Sequence, residues 1–195
     1  MSIPRPEHPK PQFQRASWFN LNGQWTYELD PGKSGMDAGR NLHESTGFGD
    51  EITVPFCPES ALSGVGHTDF IEAMWYHRSI EIPPDWDGSR ILLHFGGVDY
   101  ECEAFIDGVS VGMHFGGTVS FCFDITSRIS SGSTHSLVVR VLDELRTAGQ
   151  PRGKQCRQHK SCGCSYTRTT GIWQTVWLEA MAPTALKDCQ IIPDF

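Results

Sequence analysis

With 195 residues, the chain is long enough to form one domain with a hydrophobic core of its own. Its formal net charge of −7, from 23 acidic and 16 basic residues, argues against a nucleic-acid partner, because phosphates require a basic surface. No apolar run approaches the roughly 18 residues that cross a bilayer, so we expect no membrane-spanning segment.

The first 17 residues, MSIPRPEHPKPQFQRAS, form a proline-rich segment that we expect to stay extended as a lead-in. This segment lacks the apolar core of a secretory signal, so we predict a cytoplasmic protein. The odd number of cysteines, seven, fits that compartment, because reduced thiols there serve as small apolar side chains.

From Trp18 onward, short β-type runs alternate with turn residues, a pattern typical of a β-sandwich or jelly roll. Asp107-Gly108 predicts a two-residue hairpin, because glycine readily takes the positive φ of a type I′ turn. No window carries a long apolar stripe with a period of 3.6 residues, which excludes a helical bundle or an α/β barrel. The predicted strands are Trp25–Leu29, Ile52–Val54, Tyr76–Ile82, Ile91–Phe95, Glu103–Ile106, Val109–Gly112, Phe121–Ile125, Leu137–Leu142 and Ile172–Leu178.

Two long, glycine-rich stretches, 31–51 and 146–166, interrupt this pattern. Loops of this length in a compact domain are usually functional or disordered. The second stretch leads into Thr169-Thr170-Gly171, a turn signal directly before the last predicted strand. The residue pattern of this segment, taken alone, predicts a buried strand with a purely structural role.

The segment around this turn, YTRTTGIWQTVWLE at 166–179, resembles a signature of the N-terminal sugar-binding domain of glycoside hydrolase family 2, which includes β-galactosidases and β-glucuronidases. Further blocks resemble the same domain and follow its order along nearly the whole chain. The resemblance implies an all-β fold, a jelly-roll β-sandwich of the galactose-binding-domain type. The further blocks are 18–30 (WFNLNGQWTYELD), 52–64 (ITVPFCPESALSG), 75–83 (WYHRSIEIP), 92–101 (LLHFGGVDYE), 106–117 (IDGVSVGMHFGG) and 151–155 (PRGKQ).

The resemblance also divides the chain. It implies a lead-in at 1–17, the sandwich at 18–185, and a linker or the first strand of an immunoglobulin-like domain at 186–195. Enzymes of the family are several times longer, and their two catalytic glutamates lie on a (β/α)8 barrel, where the acid/base follows an asparagine. Because this chain contains no Asn-Glu dipeptide, we expect it to be inactive alone, to need no cofactor, and to work with the barrel and immunoglobulin-like domains of one enzyme.

In the family, the loop before the signature reaches toward the mouth of the barrel. The resemblance therefore predicts that polar side chains here bind sugar hydroxyls or a substrate carboxylate, for which arginine offers a planar fork of donors. For Arg168 the alternative is a brace that donates to backbone carbonyls. Well-known β-galactosidases place an aspartate just before the matching arginine, whereas this chain reads CSY at 164–166, so no galactose-binding aspartate or sodium site is carried over. The predicted substrate-binding residues are Arg152, Lys154, Gln155 and Arg168.

The same loop contains four soft metal ligands within nine positions. A structural zinc ion needs four such groups in a tetrahedron, but paired Cys-x2-Cys knuckles are missing. A thiol-rich surface loop is therefore our main interpretation, and a zinc site is the alternative. On the main interpretation the three loop thiols are reactive, whereas Cys102 and Cys122, in predicted strands, are protected. The four ligands are Cys156, His159, Cys162 and Cys164.

Two other functions stay open. An independent carbohydrate-binding module would need an exposed aromatic platform, and Trp86, in the turn sequence PPDWDG, is the tryptophan that we expect to be partly exposed. A zinc- or thiol-dependent interaction domain would instead use the loop from Cys156 to Cys164. Carbohydrate is the expected partner of the module, as it is of the family 2 domain.

Overall fold

The computed structural model describes residues 2–42, 47–147, 149–187 and 189–194. Helices in this part of the chain are short 3-10 turns, at Pro11–Phe13, Arg40–Leu42, Ala61–Ser63, Pro84–Trp86 and Thr126–Arg128, and none has the length and apolar character to cross a membrane. The described strands are β1 (Trp18–Asn20), β2 (Gly23–Leu29), β3 (Asp50–Val54), β4 (Ala73–Glu81), β5 (Arg90–Phe95), β6 (Val98–Asp99), β7 (Glu101–Ile106), β8 (Val109–Phe115), β9 (Phe121–Asp124), β10 (Thr134–Leu142), β11 (Gly171–Ile172) and β12 (Val176–Met181).

Most of these strands belong to two antiparallel sheets that pack face to face. One has the order β1-β12-β5-β9, and the other has the order β3-β2-β4-β10-β7-β8. The short strands β11 and β6 pair with each other outside both sheets. The predicted all-β jelly-roll sandwich is confirmed.

The main core lies between the sheets and follows from the pleat of the strands. Leu137, Val139 and Val141, at alternate positions of β10, are fully buried in it, as are Val176 and Leu178 of β12. Burial of each such side chain contributes about 1.5–3 kcal/mol, so this layer is the main source of the stability of the sandwich.

The β7–β8 hairpin forms where the sequence predicted it. Asp107 and Gly108 have φ values of 48° and 78°, so both central residues occupy the left-handed region that a type I′ turn requires.

The predicted strand Ile172–Leu178 is wrong as a single strand. Ile172 ends β11, and β12 begins only at Val176. In between, Trp173 and Gln174 pass over Gly96 and Gly97, where an added Cβ would lie 2.7 Å from Gln174 Cβ and 3.0 Å from Trp173 Nε1. The sequence does not reveal this break, because Trp173 would be equally compatible with a continuous strand. Only the structure shows that it packs over glycines instead.

The N-terminal segment packs against the outer face of β12. Buried His8 places Nε2 3.2 Å from Glu179 Oε1 and packs edge-on against Trp18, with ring centroids 4.6 Å apart. Arg15 Nη1 donates to Glu179 Oε2 at 2.7 Å. The described part of the predicted lead-in therefore covers the outward side chains Trp177 and Glu179.

The first glycine-rich stretch borders the outer face of the larger sheet, where Phe48, Trp75, Phe105 and Val138 form a second buried cluster. Trp75 Nε1 donates to Asp30 Oδ2 at 2.9 Å, just before this stretch. Positions 43–46 lie outside the described residues. The flanking parts of the stretch thus contribute to packing.

Candidate functional site

A cleft of about 510 Å³ opens beside the turn that precedes β12. Asp99 and Tyr100 line it from the β6–β7 junction, and residues 116–118 line it from the end of β8. The loop segment 151–155 forms another part of the wall, and Thr169 and Trp173 complete the lining. The loop that the sequence singled out therefore lies on a preformed cleft.

Asp99 is the carboxyl group of this cleft, and it is only 7% exposed. Its Oδ2 accepts a hydrogen bond from Gln155 Nε2 at 2.8 Å, whereas Oδ1 has no hydrogen-bond partner among the described residues. Burial raises the pKa of Asp99 to about 7, and the nearby Asp143 carboxylate acts in the same direction. Near neutral pH, Asp99 can therefore both donate and accept hydrogen bonds.

Gln155 links the loop to the signature turn, because its Oε1 accepts the Thr169 backbone N–H at 2.8 Å while Nε2 donates to Asp99. Arg152 Nη1 donates to the Gln155 carbonyl at 2.7 Å and folds the loop onto itself. Lys154 is exposed in the lining of the cleft. Three of the predicted residues thus meet at the cleft, and sugar binding by them stays a prediction.

Arg168 lies outside the cleft lining and is 3% exposed. Its Nη1 donates to the Gln158 carbonyl at 2.6 Å, and its Nη2 donates to the Thr68 carbonyl. Its guanidinium carbon stands 4.2 Å from the centre of the Phe70 ring. These contacts favour the bracing alternative, so we treat Arg168 as a positioning residue of the loop.

Two further buried carboxyl groups hold the signature turn at Thr170. Asp143 Oδ2 accepts from Thr170 Oγ1 at 2.9 Å, and Glu59 Oε2 accepts the Thr170 N–H at 3.2 Å. Burial raises the pKa of both carboxyl groups. The neighbouring Thr169 N–H donates to Gln155 of the cleft wall, so Glu59 and Asp143 help to hold that wall in place.

The structure does not gather the four residues of the zinc alternative. Cys156 and Cys162 approach each other, but His159 Nδ1 lies 3.2 Å from Asp69 Oδ1 on the exposed surface, and Cys164 is exposed. Within the described ranges, no group of three or more histidine, cysteine or acidic side chains is arranged to hold a metal ion. The zinc alternative therefore has no geometric support.

The exposure of the cysteines agrees only in part with the prediction. Cys102 is buried, and Cys162 and Cys164 are exposed, as predicted. Cys156 is buried, because the loop folds over its sulfur atom, which contacts the Lys160 carbonyl, the Cys162 sulfur and the Gln158 N–H. Cys122 is exposed, because it alternates along β9 with Phe121 and Phe123, which pack against the core.

The tryptophan that lines the cleft is Trp173, not Trp86. The predicted exposure of Trp86 is wrong. The 3-10 turn Pro84–Trp86 places the Trp86 ring in the core, at 5% exposure. Trp173 is half-buried at the cleft, and its Nε1 donates to the Gly117 carbonyl at 2.7 Å.

Sequence reasoning did not single out Trp173 or Asp99, although the pairs Gly96-Gly97 and Gly116-Gly117 are a signal for both. A Cβ at Gly97 would lie 3.0 Å from Trp173 Nε1, and one at Gly117 would lie 2.5 Å from the Asp99 carboxyl carbon. Only glycine leaves room for these side chains at the cleft.

Comparison with known proteins places residues 65–179, more than half of the chain, in the family described as glycosyl hydrolases family 2, sugar binding domain. A β-galactosidase of Thermoanaerobacter pseudethanolicus is 28% identical over 131 residues, which cover 65% of this chain and 16% of that relative. A β-glucuronidase of Paenibacillus borealis is 25% identical over 135 residues, which cover 69% of this chain and 22% of that relative. The chain thus spans less than a quarter of the length of either relative.

Among solved structures, the apo β-glucuronidase from Ruminococcus gnavus superimposes with a TM-score of 0.69. The match covers 87% of this chain and 30% of that chain at 20% sequence identity. At this level of identity the likeness concerns the fold, and it supports the sandwich.

Proposed function

The chain belongs to the family of sugar-binding domains found in glycoside hydrolase family 2. We therefore propose that it forms one wall of the active site of such an enzyme. The enzyme would hydrolyse O-glycosidic bonds in carbohydrate metabolism. Its catalytic glutamates would come from a barrel domain, with an immunoglobulin-like domain as a second partner. The observation that carries the proposal is the cleft between Asp99, Gln155 and Trp173, which the signature segment and the preceding loop build.

The cleft offers the two kinds of contact that a pyranose ring needs. The exposed part of Trp173 gives an apolar surface for the CH face of a sugar. The exposed Lys154 ammonium group and the half-buried Arg152 guanidinium group supply polar contacts for hydroxyls. Because a single wall buries only part of a ligand, binding by this chain alone should be weak.

We further propose that the sugar carries a carboxylate. Two cationic side chains, Arg152 and Lys154, line the cleft. The positions at 164–166, where well-known β-galactosidases supply an aspartate, carry no acidic residue. Both features favour a β-glucuronide over a β-galactoside.

Chemical-shift mapping with methyl β-glucuronide and methyl β-galactoside tests this proposal. We expect weak binding, in the millimolar range, with the largest shifts at Trp173 and Gln155 and with the glucuronide bound more tightly. Lys154→Ala should remove this preference, whereas Lys10→Ala, outside the cleft, should retain it. Shifts confined to residues away from the cleft, or a preference for the galactoside, would contradict the proposal.

An independent carbohydrate-binding module is the second candidate, because the cleft is already formed in the chain alone and has a half-buried tryptophan on its wall. Calorimetric titration with oligosaccharides separates the two functions. A dissociation constant in the micromolar range would support the independent module.

A further inference from the structure

Two thiols face each other in the loop beside the cleft. Cys156 Sγ lies 3.4 Å from Cys162 Sγ, six positions further along the chain. Cys156 is 2% exposed, whereas Cys162 is exposed. One sulfur atom is therefore shielded, and its neighbour can be reached from solvent.

Backbone contacts hold both cysteines in place. The Cys156 N–H donates to the Tyr166 carbonyl at 2.8 Å, and the Gln158 N–H donates to Cys156 Sγ at 3.4 Å. Cys162 exchanges two backbone hydrogen bonds with Ser165, at 3.2 and 3.0 Å, in a tight turn. The approach of the two sulfur atoms is thus part of the fold of this loop.

We propose that Cys156 and Cys162 form a redox-active pair that is converted to a disulfide by a small-molecule disulfide such as oxidised glutathione. A disulfide bond is about 2.05 Å long, so the sulfur atoms must approach by about 1.4 Å, which small side-chain rotations can supply. The site requires neither a metal nor the sugar-binding function.

The reaction proceeds by two thiol–disulfide exchanges. The exposed Cys162 thiolate attacks one sulfur of the oxidant, forms a mixed disulfide and releases one thiolate. Cys156 then loses its proton to solvent, and its thiolate attacks Cys162 Sγ, which releases the second thiolate. The two cysteines give up two electrons and the oxidant takes up both.

The surroundings of the pair favour the second step. The backbone N–H of Gln158 lowers the pKa of the Cys156 thiol, and the Cys162 thiol and Arg168 guanidinium act in the same direction. Hydrogen bonding to Cys156 raises the pKa of Cys162. The raised pKa leaves a smaller fraction of Cys162 as thiolate, so we expect the first exchange to be the slow step and the second to follow rapidly.

Oxidation closes a ring from Cys156 to Cys162, directly after Gln155 of the cleft wall. The cross-link restricts the unfolded chain more than the already folded loop. We therefore expect oxidation to raise the thermal midpoint by about 5 °C.

The test is incubation of the native chain with a glutathione redox buffer, followed by alkylation of free thiols and mass spectrometric mapping. We expect wild type and the matched control Cys164→Ser to lose two hydrogen atoms and to yield the Cys156–Cys162 cross-linked peptide. Cys162→Ser, an exposed change that should fold normally, should form no internal disulfide. In Cys156→Ser, Cys162 should stop at the mixed disulfide with glutathione.

Three results would overturn the proposal. The first is a Cys162–Cys164 cross-link in place of Cys156–Cys162. The second is a wild-type chain that carries only mixed disulfides under conditions where glutathione is largely oxidised. The third is a thermal midpoint that falls on oxidation, since this would show that the fold opposes the bond.

Discussion

At the scale of single residues, the raised pKa of Asp99 links stability to pH. The pKa is about 7 in the fold and about 4 in the unfolded chain, so the folded state binds more protons between these values. The contribution of Asp99 to the free energy of unfolding is fully present below about pH 4, and it is lost as pH rises through 7.

We therefore predict that Asp99→Asn flattens this pH dependence and makes the chain more stable at pH 8, by up to about 4 kcal/mol. Urea unfolding at pH 5 and pH 8 measures the effect, with the exposed Asp87→Asn as control. An unchanged pH dependence in Asp99→Asn would mean that another group titrates.

The buried guanidinium of Arg168 gives a second prediction at this scale. Arg168→Ala removes donors from the Gln158 and Thr68 carbonyls and the packing on Phe70, so it should destabilise the chain by about 3 kcal/mol. Arg152→Ala, which removes one bond to the Gln155 carbonyl, should cost less than about 1 kcal/mol. The thermal midpoints of the two variants measure this difference. Equal midpoints would contradict the bracing role of Arg168 and would favour a role in substrate binding.

At the scale of elements, the N-terminal segment supplies Arg15 as one of the partners of the buried Glu179 carboxylate. Burial alone would raise the pKa of Glu179, but His94, Trp177 and Arg15 outweigh it and lower the pKa to about 2. This contribution is present above about pH 4.5 and is lost as pH falls through 2.

Deletion of residues 1–16 removes His8 and Arg15 from Glu179. We predict a loss of about 3–5 kcal/mol at pH 7, because a buried carboxylate is left with fewer partners. Adding Glu179→Gln to the truncated chain should recover part of this loss, since the amide carries no charge. Chemical unfolding compares the three forms, and a truncated chain as stable as wild type would show that the segment contributes little.

The loop at 146–166 should remain the least protected element of the isolated chain. Its described backbone bonds are concentrated at Cys156, Tyr166 and the turn Cys162–Ser165, and most of its side chains are exposed. Ordering such a segment costs about 1–2 kcal/mol per residue, with little burial to offset it. Hydrogen exchange should be fast here and slow in β10. In the full-length enzyme the loop should gain protection, and equal exchange in both forms would contradict contact with the barrel.

At the scale of the whole molecule, we predict that the chain alone hydrolyses no glycoside. The motif that supplies the catalytic acid in the family, Asn-Glu, is missing from the chain, and the fold is a sandwich. Chromogenic β-galactoside, β-glucuronide and β-mannoside substrates provide the assay. Turnover that stays with the protein through purification would contradict a purely sugar-binding role.

The predicted boundaries and the cellular location belong to this scale too. The described residues after Met181 contain no strand, so assignment of 186–195 to a linker or to the first strand of another domain stays a prediction. The cytoplasmic location also stays a prediction. Limited proteolysis around residue 186 would test the boundary, and fractionation of cells that express the protein would test the location.

The sequence by itself determined the fold class, the β7–β8 hairpin and the loop that carries the candidate site. These features depend on neighbouring residues, because alternation, turn dipeptides and family blocks are local patterns. Arg152, Lys154 and Gln155 were predicted as a group for the same reason, since one loop carries all three.

The tertiary structure alone decided which side chains share a cleft. Asp99 and Trp173 meet there because β6 pairs with β11, a contact between segments far apart in the chain. Burial is likewise a property of the whole fold: it placed Arg168 and Trp86 inside and Cys122 outside, against their local patterns. The sequence also could not show which thiol lies next to Cys156. Only the folded loop brings Cys162 to Cys156 and leaves Cys164 exposed to solvent.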